Sequence, residues 1–266
     1  MPDPLSVAFT TLRRRYGPQA LRRGDLAETT LEPWATGVPV LDDVLLPGGL
    51  PRGRITLLAA GSTGATGRLT LLQSMAAAAS RSRQVGYVDL SETLDPGFLA
   101  DLGADLQSCL VLTPGSGRWQ RCFVMARALV AAGLPWLAVA LDRGCPDPSS
   151  WEHALAAFAE AVSKRGAVAV ISAPPPLPKP LAYASSLTLT CAASGWQRMH
   201  GDVTGLRVTV TTTKSKVAAA QPTATLLLRY PRPYAAAEVT ALPSVVAPVR
   251  THVDAYPEPQ AAAAPG

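Results

Sequence analysis

The sequence predicts an α/β fold: a mainly parallel central sheet, an antiparallel C-terminal extension and a short N-terminal helix. Three observations predict it. From about Thr36, strand-length apolar runs alternate with helix-length stretches, the order expected when helices cross over between parallel strands. Those runs are almost continuously apolar, as strands covered on both faces require. From Leu187 the texture changes to alternating runs rich in Thr and Val, which fit antiparallel strands with one face less buried.

Taken in order, Leu5, Phe9, Leu12 and Tyr16 recur at helical spacing, so residues 4–16 read as an amphipathic helix that stops at Gly17-Pro18. Strands are expected at 54–60, 85–89, 109–113, 136–142 and 167–172. Helices are expected at 68–83, 94–102, 119–132 and 150–164, the last with its N-cap in Pro148-Ser149-Ser150. The antiparallel runs are 187–191, 206–213 and 223–230. Beyond Tyr230, Pro and Ala dominate and too little apolar surface remains to offset ordering entropy. The expected organisation is therefore an N-terminal helix and arm (1–34), a core domain (35–230) and a disordered tail (231–266).

Composition narrows the function classes. With 48% hydrophobic and 16% charged residues among 266, the chain is an ordinary globular one. Its apolar runs fall short of the roughly 20 residues that span a bilayer. The start, Met-Pro-Asp-Pro, carries no secretory pattern, so a cytoplasmic protein is expected. Cys109, Cys122, Cys145 and Cys191 are far apart in sequence, without metal-ligand spacing; buried free thiols are expected, with no metal site and no disulfide framework. His153, His200 and His252 stand apart from any nucleophile pattern. A net charge of +5 permits nucleic-acid contact, but dense basic clusters occur only at Arg13–Arg15 and Arg22–Arg23, which a solvated helix face explains equally well.

One motif bears on chemistry. The strand at 54–60 runs into Gly61-Ser-Thr-Gly-Ala-Thr-Gly67-Arg68-Leu69-Thr70 and then a helix, the layout in which backbone amides and a helix N-terminus hold phosphates. The working motif has four residues between its glycines, then Lys for phosphate and Ser or Thr for magnesium. Here five residues separate Gly61 from Gly67, Arg68 and Leu69 follow, and Thr70 comes one position late. A guanidinium does not replace the compact ammonium, and Leu69 offers no oxygen to a metal. A glycine-rich turn without nucleotide is the favoured reading, so no cofactor is expected and ATP with magnesium is disfavoured.

Residues 5–230 resemble bacterial RecA. The resemblance rests on Leu12-Arg-Arg-Arg-Tyr16-Gly17, similar to the RecA polymerisation helix, on Thr36–Asp42 and Gly48–Ile55 leading into the first strand, on Tyr87–Pro96, and on Lys214-Ser215-Lys216-Val217-Ala218-Ala219. It implies a RecA-like P-loop fold in which Gly61, Gly67, Arg68, Thr70, Glu92 and Asp142 are remnants of a nucleotide site. Asp142 matches the Walker B aspartate. Ser91 occupies the position of the catalytic glutamate, and neighbouring Glu92 would point to the other side of an extended chain. The two loops that carry single-stranded DNA in the family are here cut short at 143–149 and replaced by the proline run 174–180, which lacks backbone donors. Phe9, Leu12 and Tyr16, with Lys214 and Lys216, would form a protomer or partner interface. Short relatives with this pattern look like the ImuA-type accessory proteins of SOS mutagenesis. That resemblance implies a non-catalytic adaptor for error-prone translesion synthesis, nucleoid-associated after damage, with partners in an ImuB-type Y-family polymerase homologue, an error-prone replicative polymerase and RecA itself. The alternatives are an atypical ATP-binding DNA-repair ATPase or filament regulator and, less favoured, a SulA-like cell-division inhibitor.

Overall fold

The computed structural model describes residues 10–11, 14–15, 32–46, 48–62, 64–216, 222–231 and 236–242. Along the chain lie β1 (Arg54–Ala60), α1 (Arg68–Ser80), β2 (Val85–Asp89), α2 (Pro96–Asp101), β3 (Cys109–Leu112), α3 (Trp119–Ala131), β4 (Trp136–Ala140), α4 (Glu152–Arg165), β5 (Val168–Ala173), α5 (Lys179–Ala184), β6 (Leu187–Met199), β7 (Asp202–Ser215), β8 (Thr223–Arg229) and β9 (Glu238–Ala241). All nine strands form one sheet in the order β3-β2-β4-β5-β1-β6-β7-β8-β9. The pairs from β3 across to β6 are parallel, and those from β6 to β9 are antiparallel. This is the α/β fold that the alternation of the sequence predicts.

The apolar runs are continuous because each parallel strand feeds two cores. On β1, Leu58 packs with Leu72, Met75 and Tyr87 beneath α1, while its neighbour Leu57 packs on the opposite face with Phe123, Trp151 and Phe158 of the α3 and α4 layer. That second layer is tied by aromatic contacts: Trp119 and Trp151 ring centroids lie 5.1 Å apart, and Phe123 and Phe158 stack at 6.1 Å. At Gly86 on β2 a Cβ would lie 2.5 Å from Leu134 Cδ2 and 2.6 Å from Leu137 Cδ1, so any larger residue there requires these leucine side chains to shift.

Local chemistry sets the helix ends. The Asp95 carboxylate accepts from the Gly97 amide and Pro96 fills the first turn, so α2 starts two residues later than its apolar pattern. The cap expected for α4 at Ser149–Ser150 belongs instead to a 3-10 turn, Pro148–Ser150, whose first amides Asp147 caps; α4 follows Trp151 without a side-chain cap. It ends at Gly166 (φ +62°), with the Ala167 amide donating back to the Val162 carbonyl.

Three expectations need correction. β6 and β7 run 13 and 14 residues, because the segment read as a connection, 192–205, continues their pairing into a long hairpin. The proline run leads into α5, whose Pro180 lies in the first turn where its missing amide is harmless. The sheet also passes Tyr230: Val239 of β9 packs against the core beside β8, and Ala237 is buried. Two small apolar side chains suffice for an edge strand, and averaging over a Pro/Ala-rich segment hides them. All four cysteines are free; Cys122 and Cys191 are buried as expected, but Cys145 is exposed. Thr10, Thr11, Arg14 and Arg15 are helical, within the expected N-terminal helix, whereas Phe9, Leu12 and Tyr16 lie outside the described residues. Among the described residues no helix is long and apolar enough to cross a membrane.

Candidate functional site

A cleft of about 570 Å³ opens at the C-terminal ends of β1, β2 and β4, where ligands of open α/β sheets usually sit. Its walls are the loop Gly64–Thr70, Ser91 and Thr93 after β2, Asp142 and Arg143 after β4, and Leu206 and Tyr230 from the antiparallel extension. Gly67 (φ +68°) turns the loop into α1; a Cβ there would lie 2.4 Å from Leu228 Cδ1 and 2.7 Å from Val208 Cγ2. Glycine is thus required twice over, by backbone and by space. Gly61 lies outside the cleft lining. Its amide donates to the Cys191 carbonyl at 2.7 Å, closing β1 onto β6.

Arg68 is the first residue of α1, where the helix dipole disfavours a cation. Its Nη1 has only a 3.5 Å contact with Thr66 Oγ1, and its buried Nε has no partner. Burial pulls the guanidinium below its usual pKa; Cys191 opposes this and Arg143 adds to it. The Cys191 thiol cannot serve as a counter-ion, because complete burial pushes its pKa up to about 12. Leu69 and Thr70 also line the cleft, so the one hydroxyl at the start of the helix stands where the sequence places it, one residue late.

Asp142 is committed to structure. Its carboxylate accepts from Ser116 Oγ (2.7 Å), the Gly117 amide (2.7 Å) and Trp119 Nε1 (2.8 Å), pinning the loop before α3. Partial burial pushes the Asp142 pKa up. Hydrogen bonds from Ser116, Trp119, Gly117 and the Gly144 amide outweigh this and hold it below the usual carboxylate range. A metal ion at Asp142 would compete with these donors for the carboxylate oxygens. Asp89 is similarly occupied, accepting from Ser91 Oγ (2.7 Å) and the Leu94 amide (2.9 Å). Glu92 is exposed with φ +53° and does not line the cleft. Among the described residues no group of three His, Cys, Asp or Glu side chains is placed to hold a metal.

Of the six expected nucleotide-site remnants, Gly67, Arg68, Thr70 and Asp142 meet in the cleft, and Gly61 and Glu92 do not. Sequence reasoning missed Thr66, Arg143 and Tyr230, which the sheet brings together from separate loops. It missed Ser116 and Trp119 as well. Both precede Asp142 by more than 20 residues, and a serine between two glycines at 115–117 is the only local signal.

Lys214 lies near the end of β7 and Lys216 just past it, with both side chains on one side of the segment. That side faces α5. Lys214 Nζ donates to the Ala182 carbonyl and, at 2.6 Å, to the Ser185 carbonyl, so it caps the C-terminus of α5 instead of extending outward. Burial, and then Lys216, lower its pKa. Lys216 Nζ stands 5.7 Å from the ring centre of Tyr183, which is 84% exposed.

Comparison with known proteins agrees with this geometry. The chain is 34% identical to protein RecA of Caldanaerobacter subterraneus subsp. tengcongensis over 131 residues, 48% of this chain and 37% of that protein. It is 34% identical to protein RecA of Streptomyces venezuelae over 115 residues, 42% of this chain and 30% of that protein. The chain thus matches about a third of the length of these relatives. The crystal structure of the RadB recombinase superposes with a TM-score of 0.57 at 15% identity, over 73% of this chain and 95% of that one, which shows the fold. The RecA N-terminal domain matches residues 3–139, just over half of the chain and including the whole glycine-rich loop, and the chain therefore belongs to the RecA family.

Proposed function

We propose that this RecA-family chain serves the DNA-damage response as a non-catalytic adaptor, acting by protein contact and not by ATP-driven strand exchange. One observation carries the reading: each group that would do the chemistry is replaced or already engaged. Arg68 and Leu69 stand where ammonium and metal-binding hydroxyl are needed, and Asp142 is already engaged by Ser116, Gly117 and Trp119. Ser91, spent on Asp89, stands where a base would orient water. The functional resemblance is to ImuA-type accessory proteins. On that reading the partners are an ImuB-type Y-family polymerase homologue, an error-prone replicative polymerase and RecA. The helix carrying Phe9, Leu12 and Tyr16 is the contact with a RecA-like neighbour.

Deleting residues 1–20 and measuring association with RecA by co-purification tests this. Binding is expected to fall at least tenfold in the truncated chain, and undiminished binding would remove the helix from the interface. A pull-down from DNA-damaged cells is expected to recover the polymerase partners.

A second reading has one observation in its favour: the cleft is open and its walls hold two guanidinium groups, Arg68 and Arg143, beside the hydroxyls of Thr66 and Thr70. These would suit a regulator that binds ATP without turning it over. Nucleotide titration of wild type and Arg68→Ala separates the two.

A further inference from the structure

We propose that the end of the sheet opposite the cleft is a surface for the phosphate backbone of nucleic acid, centred on Arg81 and Arg83. The register brings the N-terminal ends of the central strands into line: Val85 pairs with Trp136, Trp136 with Val168 and Val168 with Arg54. Cations gather along that line. Arg81 and Arg83 follow α1, Lys164 and Arg165 close α4, and Arg52 and Arg54 lead into β1. Neighbouring strands lie about 4.8 Å apart, so the row from β2 across β4 and β5 to β1 spans roughly 14 Å. A few consecutive phosphates of one strand, rising about 3.4 Å each, cover that distance.

The carboxylates at this end are already engaged or few. Glu160 is paired with Lys164 at 2.6 Å, and Asp105 accepts from the Gln107 amide and from Ser108 Oγ; Asp101 is the third. Around the cleft the balance is different, since Asp89, Glu92, Asp95, Asp142, Asp147 and Glu152 offset the cations there. Among the described residues the cations therefore outnumber the carboxylates at this end but not around the cleft.

Between α1 and the start of β3 lies a hollow of about 440 Å³ lined by Ser80, Arg81, Ser82, Arg83, Gln84, Ser108 and Pro135. Its hydroxyls donate inward, Ser80 to the Ala77 carbonyl, Ser82 to the Ala79 carbonyl and Ser108 to Asp105. Recognition of an anion falls to Arg81 and Arg83, which are exposed and have no carboxylate partner among the described residues. The hollow has no aromatic or large aliphatic anchor of the kind that dominates protein interfaces, which favours a phosphate chain over an acidic peptide. Guanidinium forks match phosphate oxygens in pairs, and here they project beside the C-terminal end of α1, whose dipole supports their charge.

The test is fluorescence anisotropy of the full chain with a labelled oligothymidylate at several salt concentrations, repeated with Arg81→Glu/Arg83→Glu and with Arg118→Glu/Arg121→Glu at the cleft end. The first pair is expected to weaken binding at least tenfold at low salt and the second pair much less. A milder Arg81→Gln/Arg83→Gln protein, checked by thermal melting, is expected to flatten the salt dependence by about 1.4 in log–log slope, the change for two fewer phosphates neutralised on a single strand. Absence of oligonucleotide binding by wild type would overturn the proposal, as would equal affinity of the Arg81/Arg83 variants. Tighter binding of a polyglutamate peptide at the same arginines would overturn it in favour of an acidic protein partner.

Discussion

At the level of single residues, the contrast between Arg68 and Asp142 shows what sequence conveys. Arg68 and Leu69 are legible because the phosphate loop has fixed spacing, and the structure adds only that the guanidinium is half buried with an unpartnered Nε. Asp142 reads from sequence as a strand-end acid that matches a metal ligand. Its donors Ser116, Gly117 and Trp119 come from another loop, and no local pattern announces them. Their hold on the carboxylate has a stability consequence. Asp142→Asn is expected to lower folding stability by about 1–2 kcal/mol at neutral pH, the usual loss for weakened hydrogen bonds to a partly exposed carboxylate. The sign with pH follows from linkage. The folded pKa lies below the ordinary 3.8, so the contribution is fully present above that value and disappears as pH falls through the lower folded value. Urea melts between neutrality and strong acid should show a shallower acid limb in Asp142→Asn than in wild type; parallel limbs would mean that the carboxylate is not held by these donors.

At the level of elements, β1 and β2 fall on the residues their apolar runs indicate, 54–60 and 85–89, because burial on both faces leaves a continuous signal. The hairpin of β6 and β7 is less legible. Beyond Ala192 it leaves the core, and exposed Trp196 and Met199 give no regular alternation to read. The Lys214–Lys216 strand shows how a resemblance can locate a segment without fixing its role. Lys214 lies on β7 and Lys216 just past its end, and Lys214 caps α5 within its own chain. Val217, Ala218 and Ala219 lie outside the described residues. Lys214→Met is therefore expected to destabilise the chain by about 1.5–3 kcal/mol, the range for hydrogen bonds to a charged donor. Amide exchange at 182–186 should quicken more than in the central sheet. Unchanged exchange there, with a loss of partner binding, would restore the outward-reaching role.

For the molecule as a whole, the two-sided core and the strand order explain why family membership is visible in the fold even where residues of the phosphate loop differ. Core strands are held by packing with α1 on one face and with α3 and α4 on the other, and that packing is indifferent to Arg68, Leu69 or Ser91. The family match, residues 3–139, covers the loop and the first strands. The later sheet, and the closing of the cleft by Leu206 and Tyr230, follow from topology that sequence shows only as alternating Thr- and Val-rich runs. The same topology separates a charge-balanced cleft from a basic opposite end, which residue counts alone, +5 over the chain, do not reveal. The central claim is that the cleft no longer performs magnesium-dependent ATP chemistry. Isothermal titration of the full chain with ATP, with and without magnesium and up to millimolar concentration, tests it most directly. The expected result is no saturable heat that depends on magnesium, the same in wild type, Arg68→Ala and Asp142→Asn. Saturable magnesium-dependent binding in wild type that Arg68→Ala or Asp142→Asn abolishes, with either variant still folded, would contradict it.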